Sequence, residues 1–143
     1  MFPGSYTDPA SASDSTVRRV ARIMVVDDEP DTVITLLELL RGEGYEAEGF
    51  GSGKAALERM AAFDPDVVIS DIAMPVVSGW DVAKAVRASM GDRRPVLIAI
   101  SGQYTKGADK ALAQVKGFNY YLAKPCDPKR LLSLLGPLAA NLP

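Results

Sequence analysis

Five polar positions in this sequence have the types and the placement to do chemistry. "VVDD" ends in Asp27 and Asp28, "VVISD" ends in Asp71, "LIAIS" ends in Ser101, and "YYLAK" ends in Lys124. Each closes a short apolar run. A carboxylate is a nucleophile or an oxygen ligand, a hydroxyl hydrogen-bonds an anion, and lysine brings a compact positive charge. If the apolar runs are neighbouring parallel strands, all five side chains gather at one edge of a sheet. Two carboxylates ~4 Å apart repel by ~4 kcal/mol at an effective dielectric of 20. Against a total stability of ~5–15 kcal/mol, three such acids call for a cation. Lys124 supplies one charge, and a hard divalent ion, Mg²⁺ first, supplies more. Mg²⁺ is held by one or two carboxylates with waters and phosphate oxygens, so the same set suits a phosphoryl group.

Taken singly, each residue also has an ordinary reading. Asp71 is a strand-end cap, Asp27 and Asp28 cap the helix that follows, Ser101 is a turn hydroxyl and Lys124 a solvated charge. What decides between the readings is the set of elements that would bring the five together.

Those elements are legible. "RIMVVDD", "YEAEGF", "DVVIS", "PVLIAIS" and "FNYYLA" read as strands, and most are apolar on both faces. Between and after them lie five helical stretches. In the first, Pro30 fits the opening turn, Val33, Leu36, Leu37 and Leu40 form one face, and Gly42 and Gly44 end it. The second, "GKAALERMAAF", carries Ala55, Leu57, Met60 and Ala61 at helical spacing. The third has Ser78 as N-cap and Val82, Ala85, Val86 and Ser89 on one face. "GADKALAQVKG" is a weaker, Ala-rich helix. The last has Asp127 as N-cap and Pro128 at its first position, and Gly136-Pro137 is expected to break it. Such alternation predicts a doubly wound α/β fold, a five-stranded parallel sheet with five helices, its site beyond the carboxyl ends of the strands. Residues 1–19, rich in Ser, Thr, Asp and Pro, read as a flexible tail, and 20–143 as one domain.

Composition narrows the function classes. The 143 residues are 48% hydrophobic and 24% charged, which is globular. A net charge of -2 makes no electrostatic case for direct nucleic-acid binding, and no apolar run approaches the ~20 residues of a membrane span. With no histidine there is no His triad, His metal site or histidine phosphodonor. The single cysteine, Cys126, permits no internal disulfide, suits a reducing cytoplasm, and reads as a buried small residue.

Four blocks, "VVDDEP", "DIAMPVVSGWD", "AISG" and "YYLAKP", occur in order at the strand ends from about residue 22 to 135. Together they resemble the response-regulator receiver domain, the CheY-like family. The resemblance implies that Asp71 accepts a phosphoryl group from a histidine kinase or a histidine phosphotransfer protein, and that the module is not otherwise an enzyme. It implies Mg²⁺, with Mn²⁺ as a substitute, held by Asp28 directly, Asp27 mainly through water, Asp71, and the backbone carbonyl of Ala73. It implies that Ser101 and Lys124, lacking such a partner before, bind the phosphoryl oxygens, that Tyr121 follows that movement, and that a downstream protein reads the fourth-helix to fifth-helix face. Lys124-Pro125 matches a cis bond, and Gly79 a glycine whose φ is positive. Met74 and Trp80 read as packing.

Departures leave points open. Ala73 stands where relatives often carry a polar side chain that influences dephosphorylation, and Gln103 is a substitute for orienting the water. "GFNYYLAKPCDP" looks more like receivers of hybrid sensor kinases. Two rival classes remain: a pseudo-receiver that binds partners without phosphorylation, and a phosphatase of the haloacid-dehalogenase type, which usually carries a second acid where this chain has Ala73.

Overall fold

The computed structural model describes residues 19–102 and 107–142. Strands and helices alternate as the pattern predicts: β1 (Arg22–Val26), α1 (Pro30–Gly42), β2 (Glu46–Phe50), α2 (Gly53–Phe63), β3 (Val67–Asp71), α3 (Gly79–Met90), β4 (Val96–Ser101), α4 (Gly107–Val115), β5 (Tyr120–Ala123) and α5 (Pro128–Ala140). The sheet is parallel throughout, in the order β2-β1-β3-β4-β5. This is the flavodoxin-like order, and the chain reverses direction across the sheet between β1 and β3.

Alternate residues of each strand feed two cores. Met24, Val26, Val68, Leu97 and Ala99 pack with Ala56, Met60 and Phe63 of α2, Val82, Ala83 and Val86 of α3, and Ala113 of α4. Ile23, Val25, Val67, Ile69, Ile98 and Ile100 pack with Val33, Leu36 and Leu40 of α1 and Leu131 and Leu135 of α5. Burial on both faces is why these strands read as unbroken apolar runs. Met74 is buried, and Trp80 meets Phe118 edge-on at 6.0 Å, so both pack as expected. Cys126 is half-buried, and burial pushes its thiol pKa up.

Several expectations are corrected. In α2 the buried face is Gly53, Ala56, Met60 and Phe63; Ala61 is exposed, because an Ala-rich helix offers little contrast between its faces. In α3, Ala83 is buried and Ser89 exposed, its hydroxyl donating to the Ala85 carbonyl. Pro137 does not break α5, which runs on to Ala140. Pro137 and Ser133 are both exposed, so the carbonyl that loses its helical donor faces water, and Leu138 still reaches the core. Ser78 and Asp127 do cap α3 and α5, Ser78 in a reciprocal box with Asp81. Of the predicted tail, Arg19 is tied to Asp66, its guanidinium donating at 2.8 and 2.5 Å; residues 1–18 and Gln103 lie outside the described residues.

Candidate functional site

The site is built where four strands end, β1, β3, β4 and β5. Asp71 is the last residue of β3, paired in register with Ile100 of β4. Asp27 follows β1 directly, its N–H donating to the Phe50 carbonyl at 3.0 Å and so extending the sheet by one residue. Lys124 does the same after β5, its N–H donating to the Ser101 carbonyl at 3.0 Å. Parallel register therefore carries all five polar residues to one edge. The carboxylates of Asp27, Asp28 and Asp71 converge, with oxygens within 4.8 Å of one another. Asp28, Glu29, Asp71, Ala73, Ser101, Gly102 and Lys124 line one cleft of about 420 Å³.

Lys124 is the cation of this cluster. Its Nζ lies 2.8 Å from Asp27 Oδ2, 2.7 Å from Glu29 Oε1 and 3.3 Å from Asp71 Oδ2. The approach to Asp27 is an ion pair by distance, without hydrogen-bond geometry. Lys124 thus faces three carboxylates in the unmodified protein. Burial alone pulls its pKa down, but Asp27, Glu29 and the charge of Asp71 outweigh this and hold it above the ordinary lysine value.

Asp71 experiences the opposite balance. Burial first, then the charge of Asp27, push its pKa up; the Lys124 ammonium and the Ala73 N–H, which donates to Oδ1 at 3.3 Å, oppose without cancelling. A carboxylate that is desolvated and crowded by acid is under-neutralised by a single lysine. Asp27, fully buried, accepts the Glu29 N–H at 2.9 Å through Oδ1. The N-cap of α1 is Glu29, so Asp27 and Asp28 do not cap that helix. Asp28 is exposed and open to the cleft.

The surrounding residues fix Asp71. The Ser70 hydroxyl donates to the Asp71 carbonyl at 2.9 Å. Gly79 is needed for close approach and not for a positive φ: a Cβ there would stand 2.3 Å from that same carbonyl oxygen and 2.7 Å from Ile72 Cα. In the same loop Val76 takes the positive φ, 66°, and is fully exposed. Lys124-Pro125 is cis, as expected, and so is Arg94-Pro95. Ser101 is fully buried at the cleft wall, while the Tyr121 ring packs into the α2–α3–α4 core with its hydroxyl buried. Glu29 was not among the predicted site residues; as a charge opening a helix it has the pattern of any first-turn acid, and its partner lies 95 positions away in sequence.

A doubly wound sheet with an acid triad, a hydroxyl and a lysine at its carboxyl edge defines a class of phosphoryl-handling signalling modules. The model for the response regulator receiver domain matches residues 23–136, and the chain belongs to that family. The receiver domain is a signalling domain of two-component systems and not a classical enzyme. The chain is 36% identical over 112 residues to the DNA-binding response regulator MtrA of Mycolicibacterium smegmatis, covering 78% of this chain and 47% of that protein. It is 37% identical to an uncharacterized 14.6 kDa protein of Leptolyngbya boryana, covering 79% of this chain and 86% of that one. Among solved structures it resembles the chemotaxis protein CheY4 of Vibrio cholerae with a TM-score of 0.77 and 29% identity, covering 84% of this chain and 99% of that one.

The chain spans about half the length of MtrA and of the transcriptional regulatory protein PcoR of Escherichia coli, to which it is 33% identical. MtrA is a DNA-binding response regulator as a whole protein, so the expectation of no direct nucleic-acid contact is not borne out by this relative. The signal receiver domain of a signal transduction histidine kinase from Syntrophus aciditrophicus shares the fold with a TM-score of 0.76 at 24% identity, covering 86% of this chain and 92% of that one. Among the described residues no helix is long and apolar enough to cross a membrane. Receiver domains bind Mg²⁺ at an acidic pocket, and the residues here fit that ion: three convergent carboxylates, all-oxygen donors, with one lysine between them among the described residues.

Proposed function

We propose that this chain is the cytoplasmic phosphoacceptor of a two-component relay, with Asp71 as nucleophile. The observation that carries the reading is the convergence of Asp27, Asp28 and Asp71 within 4.8 Å, with Lys124 Nζ 3.3 Å from Asp71 Oδ2. A phosphohistidine on a kinase or phosphotransfer protein is the donor. An Asp71 carboxylate oxygen forms a bond to phosphorus as the phosphorus–nitrogen bond breaks, and the departing imidazole nitrogen takes up a proton. Asp28, Asp27, Asp71 and the Ala73 carbonyl would hold the divalent ion, Mg²⁺ or in its place Mn²⁺, which when bound neutralises charge on the transferring group. Lys124 does the same from the other side.

Phosphorylation adds roughly -1.5 to -2 charge and new acceptor oxygens at the end of β3. The Ser101 hydroxyl and Lys124 turn to those oxygens, and Tyr121 follows on β5. A downstream protein reads the α4–β5–α5 face. The domain catalyses only its own phosphorylation and dephosphorylation. Ala73 offers no side-chain hydrogen bond to an attacking water.

The test is uptake of one phosphoryl group from acetyl phosphate or phosphoramidate. Uptake that needs Mg²⁺ and vanishes in Asp71→Ala supports the reading. No uptake by the wild type contradicts it and returns the chain to the non-phosphorylated interaction class. Steady turnover of p-nitrophenyl phosphate would instead favour the phosphatase class.

A further inference from the structure

Glu29 carries an inference that rests on the phosphoacceptor reading and goes beyond it. Its Oε1 is 2.7 Å from Lys124 Nζ, nearer than Asp71 Oδ2 at 3.3 Å. The Thr32 hydroxyl donates to the same Oε1 at 3.3 Å, which steadies the carboxylate at the head of α1. Asp27 Oδ2 approaches the ammonium at 2.8 Å. An ammonium has three N–H donors, and here three carboxylates surround it.

We propose that Glu29 is a positioning residue that retains Lys124 in the unmodified protein, and that a phosphoryl group on Asp71 draws the ammonium away from it. Modification turns the Asp71 carboxylate into an ester and carries the attracting charge outward onto the phosphoryl oxygens, so the ammonium moves toward them at the expense of its contact with Asp27 or with Glu29. Asp27 is fully buried, and stripping a buried carboxylate of its cation is costly. The Glu29 side chain is 65% exposed, and water replaces the lysine there at little cost. Glu29 is therefore the partner released. Its pair with Lys124 sets part of the work that modification has to do, and weakening that pair makes the modified arrangement easier to reach.

The experiment uses beryllofluoride, which adds to a carboxylate as an acyl-phosphate mimic, titrated at saturating Mg²⁺. It compares the wild type with Glu29→Gln, Glu29→Asp, Lys124→Gln and the Glu29→Gln/Lys124→Gln double variant. Thermal melts check that each variant folds. Glu29→Gln is expected to bind about two- to fivefold tighter, the span of an exposed ion pair. Glu29→Asp keeps the charge but is a methylene too short for the contact, and it should shift with Gln. In the Lys124→Gln background the Glu29 effect should vanish, since the double-variant cycle isolates the pair.

Unchanged or weaker binding by Glu29→Gln overturns the inference. So does wild-type affinity in Glu29→Asp, or an effect that persists without Lys124, because either assigns the change to repulsion alone. If Lys124→Gln binds too weakly to titrate, the Gln and Asp variants decide between contact and charge. Absence of binding by the wild type overturns the phosphoacceptor reading itself, and the inference with it.

Discussion

Gly79 makes room for the carbonyl of Asp71. A side chain at 79 would place its Cβ 2.3 Å from that oxygen, and the Ser70 hydroxyl already holds the same oxygen from another side at 2.9 Å. The obstructing atoms are backbone, so no rotamer change relieves the clash. Gly79→Ala should therefore destabilise the domain by ~2–4 kcal/mol, as overpacking against rigid neighbours does. Chemical denaturation measures it. A loss below half a kilocalorie per mole would show that the β3–α3 loop yields easily and that Asp71 is not fixed in this way.

Asp71 itself should cost stability. Burial and the Asp27 charge raise its pKa in the folded state. The sign follows: a carboxylate with a raised folded pKa stabilises the fold most when protonated, and that contribution is lost as pH rises through the folded value. At neutral pH, without a divalent ion, Asp71→Asn is expected to be more stable than the wild type by ~1 kcal/mol, the usual scale when function strains a site. Mg²⁺ should narrow the difference by stabilising the wild type. Thermal melts of the two proteins with and without Mg²⁺ test this, and a less stable Asn variant in metal-free buffer would refute it.

At the opposite end of the sheet, Asp66 anchors a cluster with no part in the site. Its buried carboxylate takes Arg19 in a forked pair at 2.8 and 2.5 Å, the Arg22 N–H at 2.7 Å, and Arg94. Burial alone would raise its pKa, but Arg19, the Arg22 N–H and the charge of Arg94 hold it below the usual carboxylate range. The contribution is then fully present above about pH 3.9, the ordinary Asp value, and is lost as pH falls through the lower folded value. Asp66→Asn should cost ~2 kcal/mol at pH 7, with the gap to wild type closing only below about pH 4. Urea melts across pH measure it, and a gap that closes between pH 5 and 7 would be inconsistent with these ion pairs.

Val76 should be replaceable with profit. A β-branched residue at φ 66° is strained by ~1–2 kcal/mol, and its side chain, fully exposed, returns nothing in packing. Val76→Gly is expected to raise stability by up to ~1 kcal/mol after the entropy of glycine is counted. The urea midpoint should rise with an unchanged slope. No rise would mean the loop does not hold that conformation in solution.

The main architecture was legible because β1, β3 and β4 are apolar on both faces, each closes on a polar residue at or just past its end, and helical stretches alternate with them, which is the pattern of a covered parallel sheet. The helix caps at Ser78 and Asp127 were legible for the same local reason: a hydroxyl or carboxylate one residue before a helix has one common use. What escaped was tertiary. Glu29 and Lys124 share no local pattern, and neither do Asp66 and Arg94. Gly79 was singled out for the wrong constraint, since a glycine in sequence does not say whether φ or space requires it. The α2 face shifted because alanines mark both sides of that helix. Pro137 was overruled because its missing hydrogen bond falls on the solvent side.

The central claim is that Asp71, and no neighbouring acid, becomes the acyl phosphate. Borohydride reduces an aspartyl phosphate to homoserine with release of phosphate, so it marks the residue that carried the group. The measurement is peptide mass spectrometry after phosphoramidate, Mg²⁺ and borohydride. Homoserine is expected at position 71 alone, and none when Mg²⁺ is withheld. Homoserine at Asp27 or Asp28, or none anywhere in protein that binds Mg²⁺, would contradict it.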